Sequence, residues 1–307
     1  MSSLGLKAPN GTFEKVALHL ASNKVIKNLT DQPPCHYPLA VFMHAEGTTR
    51  LFYSQIASTF ASIGYAVVTI DAPYDVDVIE YPDGSLVYIN ETVWDTTNAT
   101  RLAVTAYLAI ETRVQDVSFV LTSLSNTTLA HSLIPNLPQT GLNTTHAAMF
   151  GHSLGGAAVF SILEADARVL GGLDMDGGLY GPGLTTGASK PFMLTGHAGH
   201  TRENQMADPF LTWEQVWPHL TGWKRDVMVA ESLHYDFSDY SILFETLGVT
   251  PGKKVGEGRI LGGTLKGTRA LQIVTSYVGV FLDFVIYSKY LLCVARGAGS
   301  AVSGGHV

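Results

Sequence analysis

The sequence predicts an α/β protein with a mostly parallel central sheet and helices on both faces. Three observations point that way. Short apolar, β-rich runs recur along the chain. Longer helix-forming segments separate them. The residue types suited to catalysis cluster at the carboxyl ends of the runs, where open parallel sheets place their chemistry.

The expected strands are "KVALHL" (15–20), "LAVFMH" (39–44), "YAVVTIDA" (65–72), "HAAMFGH" (146–152), "GGLDMD" (171–176), "PFMLTGH" (191–197) and "DVMVAES" (226–232). Most are continuously apolar, as strands covered on both faces are. Helices are expected over about 50–63, 99–124, 154–164 and 267–290, and their alternation with the strands reads as parallel crossovers. Residues 74–98 are too long for a plain connection and carry a Pro-Asp-Gly turn, so a small excursion is expected there. Residues 271–295 are apolar enough to raise a membrane span. Asp283 and Lys289 lie within that window, each costing about 2.5–3.5 kcal/mol at bilayer depth, and a terminal helix packed on the sheet is the favoured reading.

The 307 residues suit one domain, with its core over about 13–288 and an atypical tail over 289–307. With a net charge of -7 and no run of basic residues, the chain has no electrostatic reason to bind nucleic acid or an anionic membrane. The two cysteines, Cys35 and Cys293, form no disulfide framework or metal spacing and are expected to be unpaired thiols. Six of the nine asparagines (Asn10, Asn28, Asn90, Asn98, Asn126 and Asn143) begin N-x-T sequons, an excess that suggests the secretory pathway although no signal peptide is visible.

Gly151-His152-Ser153-Leu154-Gly155 lies between an expected strand and an expected helix, the context in which G-x-S-x-G presents a nucleophile on a strained turn. A serine needs a base, and His234 follows the last strand, with His197 the next candidate. His152 should turn its ring into the flank of the serine's turn. His197 and His200 have a spacing that could hold a metal, but no acidic partner is near in sequence, so no metal site is expected. The base needs an acid. Asp174 and Asp176 alternate on one strand and should face the same side. Asp176, at the strand's end, is favoured because an acid in mid-strand would be buried at high cost. The oxyanion should be held by the backbone N–H of Leu154 and by one from the "HAEGTTR" loop, with Glu46 as that second donor.

Three segments resemble the α/β-hydrolase family of platelet-activating factor acetylhydrolases, particularly fungal secreted members. They are "GHSLGGAAVFSILEADARVLGGLDMDG", "ESLHYDFSDY" and "FMHAEGTTRLFYSQIASTFASIGYAVVTIDAPYD", and the likeness covers roughly residues 35–288. It implies an α/β-hydrolase fold, Ser153, Asp176 and His234 as catalytic residues, the N–H groups of Glu46 and Leu154 as oxyanion donors, and Phe237-Ser238-Asp239 as support. It also implies hydrolysis of short or oxidised acyl groups from glycerophospholipids without calcium or another cofactor, with transient contact to a lipid surface.

Two departures stand out. The family has a small or apolar pair where this chain has Ala45-Glu46, and a carboxylate about 4 Å from the oxyanion would cost roughly 4 kcal/mol at an effective dielectric near 20. The tail after Phe284 is unlike the family's C-terminal segment. A cutinase- or polyesterase-like esterase is the neighbouring alternative, and a catalytically weak binding protein on the same fold is the alternative of another class.

Overall fold

A computed structural model describes residues 37–298 except 91, 93, 95–98, 135–136, 138, 140, 204–211, 249–253, 256–258 and 261, with only the backbone described at 99, 254–255, 259–260 and 288–298. The strand expected over 15–20, Cys35 and the tail beyond 298 lie outside these residues, as does the side chain of Cys293.

The elements run β1 (Leu39–Met43), α1 (Ser54–Ser62, entered through a 3-10 turn, Arg50–Tyr53), β2 (Ala66–Ile70), β3 (Val78–Glu80), β4 (Leu86–Tyr88), α2 (Ala99–Ser125), α3 (Thr127–Leu133), β5 (Ala147–His152), α4 (Leu154–Ala165), β6 (Val169–Met175), α5 (Gly183–Thr186), β7 (Phe192–His197), α6 (Trp213–Val216), β8 (Lys224–Val229), α7 (Tyr240–Thr246), β9 (Lys254–Val255), β10 (Arg259–Ile260) and α8 (Gly267–Ala298). Six strands form one sheet in the order β2-β1-β5-β6-β7-β8, and every pairing within it is parallel. This is the α/β-hydrolase fold.

Alternation along the central strands divides the core. Leu39, Val41 and Met43 of β1, with Ala147 and Met149 of β5, pack on the side of α2 and α4, where Ile110, Val117, Leu121 and Val159 meet them. Ala40, Phe42, Ala148 and Phe150 point the other way, to Ile56 and Phe60 of α1 and to α8. These strands are apolar at every position because both faces are covered. In α8, Ala270, Val274, Val278, Phe281, Leu282 and Val285 are buried at helical spacing, and Tyr65 donates a hydrogen bond to Asp283 (2.5 Å). The helix over Gly267–Tyr287 is long and apolar enough to cross a membrane by length and composition, but its apolar stripe packs on the sheet.

The excursion after β2 is the β3–β4 hairpin. Its Tyr81-Pro82-Asp83-Gly84 turn is closed by Gly84 N–H donating to Tyr81 O (2.8 Å), with Gly84 at φ +82°. The chain fills the sheet from β1 to β2 in one direction and then crosses to β5. The strand order therefore reverses between β1 and β5, and the crevice at the carboxyl ends of these two strands is where open α/β sheets bind ligands.

Candidate active site

Ser153 caps α4 immediately after β5, at φ +56° and ψ -123°. A non-glycine residue in that region carries strain of about 1–3 kcal/mol. Two glycines permit the turn. A Cβ on Gly151 would lie 2.4 Å from Gly155 O, and one on Gly155 would lie 2.1 Å from Met43 O. The first helical turn therefore packs directly on the ends of β5 and β1. Ser153 N–H donates to Met175 O (2.8 Å), which ties the turn to β6.

Asp176 follows β6 at φ +61° and is 2% exposed. Its Oδ2 accepts from His234 Nδ1 (2.6 Å), which leaves His234 Nε2 as the basic nitrogen of the neutral ring. Burial pushes the Asp176 carboxyl up, but hydrogen bonds from His197, His200 and His234 outweigh it and hold the group well below the usual carboxylate range.

His234 begins a short 3-10 turn, His234–Phe237. β8 ends at Val229, so His234 comes five residues past the strand rather than the two expected from a strand ending at 232. The turn is held by Asp236, whose Oδ2 accepts from Leu233 N–H (2.7 Å) and Gly263 N–H (2.6 Å) and whose Oδ1 accepts from Ser241. Phe237 is buried. Asp239 bonds α1 through Gln55 N–H (2.7 Å), a helix N-terminus that favours a carboxylate.

Two expectations are corrected. His197 and His200 do have an acidic partner, because their Nδ1 atoms lie 2.8 and 3.2 Å from Asp176 Oδ1. The acid comes from β6 and the histidines from the end of β7, so sequence spacing does not reveal the contact. Nor do Asp174 and Asp176 act as a matched pair on one face, since β6 ends between them. Asp174 is fully buried and bonds Gly177 N–H (2.9 Å), and burial raises its carboxyl well above the usual range. It packs so tightly on α4 that a Cβ on Gly156 would overlap its Oδ1. His152 is buried in the flank of the serine's turn, with Nδ1 2.8 Å from Tyr53 Oη; burial and the neighbouring His234 lower its pKa well below the usual value.

The loop after β1 is held from two sides by residues that the sequence did not single out. On one side, buried Arg113 of α2 forms a bidentate pair with Asp75, Nε to Oδ2 at 2.9 Å and Nη2 to Oδ1 at 3.0 Å, and donates through Nη1 to His44 O. Asp75 O accepts from Gly47 N–H (2.9 Å). On the other side, Tyr53 Oη accepts from Ala45 N–H (3.3 Å). His44 is fixed as one tautomer, Nδ1–H donating to Ala45 O (2.7 Å) and Nε2 accepting from Ala72 N–H (3.0 Å). Its pKa is lowered well below the usual value by burial and by Arg113. The sequence signal was one arginine in an otherwise apolar helical stripe (Ala106, Ile110, Val117), where an unpaired charge would be too costly to keep.

Among the described residues, the N–H groups of Glu46 and Leu154 donate to no protein acceptor. The second is one of the open donors of a helix N-terminus. The Glu46 side chain is half-buried, and its carboxyl is pushed up to about 7 by burial and by Asp75, with Arg113 and His234 pulling the other way.

Residues 10–282 match the family described as platelet-activating factor acetylhydrolase, isoform II. A probable 1-alkyl-2-acetylglycerophosphocholine esterase from Arthroderma benhamiae is 31% identical over 264 residues, which are 82% of this chain. The chain spans 61% of the length of that relative. Among solved structures, a ferulic acid esterase from Streptomyces cinnamoneus superposes with a TM-score of 0.66 at 26% identity, over 83% of this chain and 69% of the other.

Proposed function

Because the chain belongs to the platelet-activating factor acetylhydrolase, isoform II, family, we propose that it is a serine hydrolase that cleaves carboxylic esters through an acyl-enzyme. The observation that carries this reading is the 2.6 Å bond from His234 Nδ1 to Asp176 Oδ2, formed beside a serine at φ +56° on the same edge of the sheet.

In this mechanism Ser153 Oγ attacks the ester carbonyl and gives its proton to His234 Nε2. Asp176 orients the imidazole and stabilises it once charged. The N–H groups of Leu154 and Glu46 hold the oxyanion. His234 returns the proton to the leaving alcohol, then takes one from the water that attacks the acyl-enzyme and passes it to Ser153 Oγ as the C–Oγ bond breaks and the acid departs. With its pKa pushed up to about 7, the Glu46 carboxyl is protonated in about half of the molecules at neutral pH, which reduces, without removing, the conflict raised by an acid in this loop.

The substrate is proposed to be a short acyl ester of a platelet-activating-factor-type phospholipid, supported by the family match and the Arthroderma relative. The likeness to a ferulic acid esterase supports a second reading, in which the ester is a small soluble one. Entry into the secretory pathway belongs to the same proposal and is supported by the exposed sequon residues Asn90 and Asn126; a mobility shift on endoglycosidase treatment tests it.

The deciding experiment is hydrolysis of short p-nitrophenyl esters by the purified protein beside Ser153→Ala, followed by acetylated phospholipid and methyl ferulate. Serine-dependent turnover that falls with acyl length is expected. Absence of turnover, with no fluorophosphonate labelling of Ser153 in folded protein, would leave the weak binding protein as the better account.

A further inference from the structure

The mechanism above makes no use of His197 or His200, the two histidines of the Gly196-His197-Ala198-Gly199-His200-Thr201 segment. Both nevertheless lie against the same carboxylate oxygen, with Nδ1 atoms 2.8 and 3.2 Å from Asp176 Oδ1. One donor atom from each of the three residues lies within 4.8 Å of the other two. We propose that Asp176, His197 and His200 form an inhibitory site for a divalent transition metal of the zinc type, a proposal that rests on the reading of Asp176 as the group that orients His234.

The donor set is the first reason. Two imidazoles and one carboxylate suit zinc and its neighbours, whereas calcium and magnesium call for oxygen ligands. Geometry is the second. Metal bonds of roughly 2.0–2.1 Å at a tetrahedral angle put neighbouring donor atoms about 3.4 Å apart. The two separations from Asp176 Oδ1, 2.8 and 3.2 Å, are slightly shorter, and the two histidine donors lie within 4.8 Å of each other, so a small adjustment of the cluster admits the ion. The cluster is also well supported. His197 N–H donates to Asp176 Oδ1 (3.0 Å), and the His200 ring stacks on Trp213 with centroids 4.0 Å apart. Access is through His197, whose side chain is 23% exposed.

Binding requires each ring to offer its Nδ1 lone pair, so the single proton of a neutral imidazole moves to Nε2. His200 Nε2 has no hydrogen-bond partner among the described residues, so the exchange breaks no bond there. A His197 ring that is protonated beforehand releases one proton to solvent.

The consequence follows from how the carboxylate is shared. His234 bonds Oδ2 at 2.6 Å, while the metal would take Oδ1. The bond to His234 can persist, but an ion on the other oxygen withdraws the negative charge that stabilises the imidazolium and adds positive charge nearby. The metal should therefore depress kcat and leave KM nearly unchanged.

The test titrates Zn2+ calorimetrically into the folded Ser153→Ala protein, with Co2+ visible absorption reporting coordination. Wild-type turnover of p-nitrophenyl acetate is followed with and without Zn2+, and reversal by EDTA is checked. One ion per chain is expected. His197→Ala and His200→Ala should each weaken binding by more than the roughly tenfold cost of losing an outer-shell partner. His197→Gln and His200→Gln serve the same purpose where an alanine variant fails to fold. Each variant's inhibition is compared with its own metal-free rate. Saturating Zn2+ should lower wild-type kcat at least about tenfold with KM within about twofold. Binding that both histidine substitutions leave unchanged, no binding to the folded protein, or binding without inhibition would each overturn the proposal. Calorimetry on the folded protein reports on the site whether or not ester turnover is found, so failure of the site and failure of the catalytic reading are separate results.

Discussion

Replacing Arg113 with methionine would remove three contacts at once, two to Asp75 and one to His44 O. Arg113 is fully buried and Asp75 is 6% exposed, so no water replaces the lost donors. Removing one partner of a buried ion pair costs about 3–5 kcal/mol, because the other charge is left uncompensated. Burial already raises the Asp75 carboxyl, and Arg113 is what holds it down. Without Arg113 the folded-state pKa rises further above the unfolded value. The folded chain then binds an extra proton between those two values, so stability falls as pH rises through that window. Destabilisation should therefore be smaller at pH 6 than at pH 8.

Asp75→Asn combined with Arg113→Met removes both charges and should recover part of the loss. Activity should fall as well, since the same arginine and Asp75 O hold the loop at His44 and Gly47, on either side of the Glu46 N–H. Losing one oxyanion donor outright costs about 10²–10³ in kcat. A loosened donor should cost less, about 10–100-fold, with KM little changed. Urea denaturation at both pH values and steady-state kinetics on p-nitrophenyl acetate make the measurements. An Arg113→Met protein that loses under about 1 kcal/mol and keeps kcat within about twofold would refute the reasoning, since neither a buried charge nor the loop would depend on this residue.

Other outcomes follow from the same contacts. Asp176→Asn should lower kcat by about 10⁴, because the amide fails to hold His234 in the tautomer that leaves Nε2 basic; steady-state kinetics on a folded variant check it, and a loss below about tenfold would point to another acid. Glu46, pushed up to about 7, binds more protons folded than unfolded between its usual value and 7, so it makes stability decline as pH rises through that range, by on the order of 3 kcal/mol at most. Glu46→Gln should flatten that part of the Tm–pH curve, and parallel curves for the two proteins would count against it. Gly155→Ala would set a methyl 2.1 Å from Met43 O, forcing α4 away from β1 and destabilising by about 1–3 kcal/mol in a denaturant titration. A neutral Gly155→Ala would show that the helix does not pack as closely as described.

Much of this protein was legible in its residues. Five of the six strands of the central sheet lie where largely apolar runs predict them, because a strand covered on both faces must be mostly apolar, and period-two alternation then divides β1 and β5 between two core layers; the edge strand β8 opens on Lys224-Arg225-Asp226 and ends at Val229, short of the run expected over 226–232. G-x-S-x-G announced the turn at Ser153 because only glycines allow β5, α4 and β1 to approach so closely. The carboxyl-end rule also ordered Ser153, Asp176 and His234 along one edge. The sequence could not say which distant groups meet there. The contacts of His197 and His200 with Asp176 span two strands, the pairing of Arg113 with Asp75 joins α2 to the loop between β2 and β3, and the 3-10 turn under His234 depends on Gly263 and Ser241 supplying donors to Asp236. Local residue preferences determine elements and their ends, because they act over a few residues. Which charges share a buried carboxylate, and how far a loop acid is driven from its usual pKa, depends on desolvation and Coulomb terms between groups that only the folded sheet brings within a few ångströms.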